Sequence, residues 1–109
     1  MKLTLAGRKI EITDGIRDHL NYKISKTIAD LDEGADVHIT LSVEKHRHFA
    51  EITLKTKGMA LHSHEETKDL YASIDKALEK MEKQLRKYEK KLKEPRIEQG
   101  FNSINQLQN

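Results

Sequence analysis

Cysteine and tryptophan are absent from the chain. Without thiols there is no disulfide framework, no thiolate metal site and no cysteine nucleophile. Aromatic residues make up only 5%, so the core is an economical one. There is a single proline, Pro95, and the five glycines form no phosphate-cradling loop. No apolar run approaches the roughly 20 residues of a membrane span. The opening "MKLTLAGRKIEIT" lacks the apolar stretch of a signal peptide. No large excess of one charge sign exists either: the formal net charge is +2. These absences lead us to expect a cytoplasmic protein with no membrane partner and no disulfides.

What is present is charge in quantity. Charged residues reach 35% against 36% apolar, in a chain of 109 residues, a length for one domain. With the net charge so small, the question is whether opposite signs are mixed or sorted.

"MKLTLAG" alternates and stops at Gly7, which reads as a strand. From Asp14 the chain reads as a helix, with Thr13 or Asp14 as cap and Ile16, Leu20, Ile24, Ile28 and Leu31 on one stripe, ending at Gly34. "ADVHITLSVEK" alternates strictly, giving a strand with one wet face. "HRH" is the expected turn, "FAEITLKT" the next strand, "KG" at 57–58 a tight turn, and "MALHSH" a short last strand. A final helix is expected to start between Glu65 and Lys68 and to run to Lys93, with Pro95 as its stop. The order β-α-β-β-β-α makes an α+β fold, a mostly antiparallel four-stranded sheet with both helices on one face. We expect one functional domain over 1–94 and a flexible C-terminal tail over 95–109.

The stretch "IDKALEKMEKQLRKYEKKLK", residues 74–93, carries the sorting. Ile74, Leu78, Met81, Leu85, Tyr88 and Leu92 form one stripe at alternating spacings of four and three. Opposite them lie Lys76, Lys80, Lys83, Lys87, Lys90 and Lys91, and the acids Asp75, Glu79, Glu82 and Glu89 collect on one flank. A face that serves only solubility mixes its signs. A sorted basic stripe suits a polyanion, because each lysine that neutralises a phosphate releases a condensed counterion. A solvated face and a coiled-coil strand are the competing readings. In the first helix His19, Lys23 and Lys26 share a flank that adds to the basic surface only if the two helices lie side by side.

Other constellations point to less. The pairs His46/His48 and His62/His64 fall short of three or four convergent zinc ligands, and Arg47 would repel a cation. The carboxylate pairs among Asp30, Asp32, Glu33, Glu65 and Glu66 sit at helix ends or exposed flanks, away from any cleft suited to acid/base work. Ser42, Ser63 and Ser73 occur in no nucleophile elbow. Tyr71 is expected to pack on the sheet. An enzyme, a metal or cofactor and a small-molecule substrate are therefore not expected.

At "GRKIEITDGIRDHL", "VHITLSVEKHRH" and "DLYASIDKALEKMEKQLRKYEKKLK" the chain resembles the short-form ribosome hibernation factors, the family of the hibernation promoting factor and ribosome-associated inhibitor A. The resemblance covers about residues 1 to 93. It implies a fold like a double-stranded RNA-binding domain with an added first strand. It also implies binding to the small ribosomal subunit and its ribosomal RNA, in the mRNA and tRNA channel near the A and P sites, which inhibits translation and preserves idle ribosomes under stress or in stationary phase. The family's basic positions fall on Lys23, Lys26, Lys80, Lys83, Lys87 and Lys91; Lys76 and Lys90 are extra here, and Arg86 completes the expected RNA-binding set. Whole ribosomes are the expected partner, and the free protein is expected to be monomeric. A general double-stranded RNA binder and a helix-mediated protein-interaction module remain alternatives, the first weakened by the acidic opening "EETKDLYASID" of the last helix.

Overall fold

The computed structural model of the chain describes residues 1–28 and 34–93, with side chains through Tyr88. The elements run β1 (Lys2–Arg8), α1 (Asp14–Thr27), β2 (Asp36–Glu44), β3 (Arg47–Thr56), β4 (Met59–Thr67) and α2 (Leu70–Lys93). They build one sheet in the order β1-β2-β3-β4. β1 pairs parallel to β2 through the α1 crossover, and the two hairpins that follow are antiparallel.

The register sets the two faces. Leu3, Val37, Leu54 and Leu61 form one inward row across the strands, and Leu5, Ile39, Ile52 and Ser63 the next. Both helices cover this face: Ile16, Leu20 and Ile24 from the first, with Ile28 just past its end, and Leu70, Ile74, Ala77, Leu78, Met81 and Leu85 from the second, are buried with the strand residues in one core. From Ile74 to Leu85 the apolar stripe of α2 is therefore spent inside the chain, not held free for a coiled-coil partner. At Gly7 a Cβ would lie 2.8 Å from the Ile10 carbonyl oxygen and 3.1 Å from Ile12 Cδ1, so the returning β1–α1 connection needs a glycine there. The β3–β4 turn has Lys57 at φ 49° and Gly58 at φ 73°, both left-handed as a tight hairpin requires.

The other face stays wet. Its rows are Thr4, His38, Thr53 and His62; Ala6, Thr40, Glu51 and His64; and Arg8, Ser42, Phe49 and Glu66. At its end Arg47 lies over the Phe49 ring, 5.0 Å from the centroid, and donates two hydrogen bonds to Glu66 at 2.9 and 3.0 Å. That guanidinium holds the Glu66 carboxyl below its ordinary range.

Several boundaries differ from the sequence reading. The first helix ends at Thr27, where the side chain donates back to the Lys23 carbonyl and Ile28 leaves helical geometry at φ −127°. Leu31 and the acids Asp30, Asp32 and Glu33 lie outside the described residues. The turn before β3 is Lys45–His46, with Lys45 at φ 58°, so Arg47 and His48 belong to the strand. β4 continues through Thr67, and the last helix starts only at Leu70. Asp69 flanks the helix, its carbonyl accepting from the Ser73 N–H, and Thr67 Oγ1 accepts from the Asp69 N–H in the turn that leads into it.

Candidate nucleic-acid interface

α2 spans about 36 Å at 1.5 Å per residue. It is held on the sheet by more than its apolar stripe. Ser73 Oγ donates to the His48 carbonyl at 2.7 Å, Ser63 Oγ to the Ala77 carbonyl at 2.9 Å, and Gln84 Nε2 to the His62 carbonyl at 2.8 Å. These bonds fix the helix against rolling about its axis, so the direction of each outer residue is fixed too. Lys76, Lys83 and Lys87 stand exposed on the outer side. Lys90 and Lys91 belong to the same helix, with side chains outside the described residues.

Two members of the expected set already have partners. Lys80 Nζ lies 2.5 Å from Glu65 Oε2, at the margin of β4. Arg86 donates to Glu82 Oε2 at 2.9 Å, one turn earlier on the same helix. Both cations remain more than half exposed, at 56% and 73%. Such surface pairs are weak, about 0.2–1 kcal/mol, and exchange readily for a phosphate.

The two helices do lie side by side, through a contact the sequence reading did not name. His19 of α1 meets Asp75 of α2, Nε2 to Oδ1, at 2.7 Å. The same imidazole meets the Tyr71 ring edge-on, with centroids 4.9 Å apart. Tyr71 thus faces α1 and not the sheet, and is 40% exposed. A turn before His19, a Cβ on Gly15 would sit 3.4 Å from the Tyr71 hydroxyl. Gly15 with Tyr71 and His19 with Asp75 share one offset of 56 residues, so the helices run parallel. That offset carried one turn further sets Lys23 opposite Glu79. The α1 flank of His19, Lys23 and Lys26 therefore borders the acidic flank of α2. The lysine ridge lies beyond Asp75, Glu79 and Glu82, so the two basic groups share the helical layer but do not merge into one patch. Lys23 is half-buried, and Lys26 Nζ stands 5.5 Å from the Tyr22 ring centroid.

Among the described residues, no group of three or more His, Asp or Glu side chains is placed to hold a metal ion. His62 and His64 lie on the wet face of the sheet, His62 Nδ1 3.1 Å from Thr53 Oγ1. No helix among the described residues is long and apolar enough to cross a membrane.

Known proteins of similar sequence and shape agree on one family. The profile described as "Sigma 54 modulation protein / S30EA ribosomal protein" matches residues 3–93. The ribosome hibernation promoting factor of Escherichia coli strain K12 is 35% identical over 94 residues, covering 86% of this chain and 99% of that protein. The Thermus thermophilus Protein Y N-terminal domain superposes with a TM-score of 0.73 at 34% identity, over 81% of this chain and 99% of that one. A ribosomal subunit interface protein from Coxiella burnetii shares the fold, with a TM-score of 0.74 at 22% identity, over 83% of this chain and 99% of that one.

Proposed function

The chain belongs to the Sigma 54 modulation protein / S30EA ribosomal protein family, and from that premise we propose that it is a ribosome hibernation factor. It binds the small ribosomal subunit in the mRNA and tRNA channel near the A and P sites, and so inhibits translation and preserves idle ribosomes under stress or in stationary phase. Its place is with ribosomes in the cytoplasm. Residues 1–94 are the binding unit; 95–109 lie outside the described residues and are left without a role.

The observation that carries this reading is the aimed lysine ridge. Lys76, Lys83 and Lys87 project from a helix whose opposite side is locked in the core. A rigid row of cations meets the phosphates of structured RNA without reading base edges. Lys80 and Arg86 join by exchanging Glu65 and Glu82 for phosphate, Lys90 and Lys91 extend the row, and Lys23 and Lys26 add a second group from α1. Inhibition is occupancy of a site that mRNA and tRNA require, so no bond is made or broken. The buried stripe of α2 supports a free protein that is monomeric.

Co-sedimentation with separated ribosomal subunits across a salt series tests this. The wild type is expected to saturate the small subunit and to weaken steeply with salt. A Lys76→Glu/Lys83→Glu/Lys87→Glu variant with unchanged circular dichroism should bind about 100-fold more weakly, with a salt slope shallower by about two to three. Equal affinity for generic duplex RNA would refute the ribosomal reading in favour of a general duplex binder.

A further inference from the structure

The two helices are held in place differently. α2 is hydrogen-bonded to the sheet through Ser63, Ser73 and Gln84. α1 lies on its apolar stripe of Ile16, Leu20 and Ile24, with its N-terminus capped internally by Thr13. Among the described residues, its one polar side-chain contact with another element is His19 with Asp75. An apolar stripe resists separation from the sheet, but it is non-directional and resists sliding poorly. A 2.7 Å hydrogen bond combined with an edge-on aromatic contact is directional in both distance and angle.

The position of this contact gives it a second consequence. Asp75 heads the row Asp75, Glu79 and Glu82 that runs between the two basic groups. An RNA that reaches Lys23 and Lys26 on one side and the lysine ridge on the other must cross that row. His19 covers the first carboxylate.

The geometry points to His19 as a positioning residue: held by Asp75 and Tyr71, it fixes the spacing and register of α1 against α2, so that the basic groups of both helices engage one RNA surface. This rests on the ribosome-binding reading above for its RNA, though the spacing itself belongs to the free protein.

The experiment compares His19→Ala, which removes the contact, with His19→Gln, whose amide can still donate to Asp75. The absence of native cysteine permits paired spin labels at Ser25→Cys and Glu79→Cys in each background, which read the interhelical distance in the free protein. Small-subunit affinity is measured on the same variants without labels. Ile52→Val, a trimmed core side chain on β3, serves as a control for lowered stability alone. We expect His19→Ala to broaden the distance distribution and to weaken binding about tenfold, the scale of one or two phosphate contacts. A further Lys23→Glu/Lys26→Glu change should then cost His19→Ala less than it costs the wild type. His19→Gln should stay near wild type in both readouts, and Ile52→Val should keep its affinity. An unchanged distance in His19→Ala, or equal behaviour of the Ala and Gln variants, would overturn the proposal. Failure of the wild type to bind the small subunit would instead overturn the ribosomal reading, and the distances would still decide the spacing.

Discussion

α1 and α2 lie parallel on the same side of one sheet, yet the fold treats them unequally. α2 buries Ile74, Ala77, Leu78 and Met81 completely, and three side-chain hydrogen bonds tie it to the strands. α1 buries Ile16, Leu20 and Ile24 and reaches outward through His19. The difference shows how a charged surface is aimed. Burial keeps a helix on the sheet, and polar contacts at the seams decide which way its outer residues point. The helix with more of those contacts bears the longer row of lysines.

The largest effects should come from removing the shared core. Leu78→Ala is expected to cost about 2–5 kcal/mol in chemical denaturation, because a fully buried leucine leaves a cavity. Ile24→Ala on α1 should fall at the lower end of that range, since the space at the edge of the layer can close. An Ile24→Ala cost equal to or above that of Leu78→Ala would break the comparison. Ser73→Ala should rank next, at about 1 kcal/mol, because the part-buried His48 carbonyl loses its donor. A neutral result would mean that the apolar stripe alone holds α2.

The smallest effect should come from a pair outside both helices. Arg47 holds the folded-state pKa of Glu66 below its unfolded value. That contribution is therefore present above the unfolded pKa and lost as pH falls through the folded one. Arg47 stays protonated throughout this range. Melting curves of wild type and Glu66→Gln should differ slightly near pH 6 and draw together as pH falls below the ordinary glutamate value of about 4.3. A gap that persists at low pH would show that the charge pair is not its cause. Both side chains are well exposed, so the gap should remain below that of Ser73→Ala.

Much of this architecture was legible in the sequence because period decides it. The alternation through Val37, Ile39 and Leu41 fixed the inward face of β2, and the four-three stripe from Ile74 to Leu85 fixed the buried side of α2. The exposed side that carries Lys76, Lys83 and Lys87 followed from the same period. Boundaries were less legible where a residue suits two states. Glu65, Glu66 and Lys68 resemble a helix start, but β4 runs on through Thr67 and the Thr67–Asp69 turn places that start later. Lys45 takes a left-handed turn position without a glycine to announce it. Contacts between distant residues left no local signal. Nothing near His19 names Asp75, and nothing in the α2 stretch shows that Lys80 meets Glu65 on a strand. The expectation that Tyr71 packs on the sheet failed for the same reason: its neighbour is set by the distance between helices.

The Gln84 side chain has one more consequence. β4 is an outer strand, and outer strands offer unpaired carbonyls on which a second chain can template itself. Gln84 occupies the His62 carbonyl, and the Lys80–Glu65 pair places charge beside the same margin. The helix that presents the lysines thus also guards one margin of the sheet, where Gln84 and Lys80 disfavour the pairing of a second chain with β4.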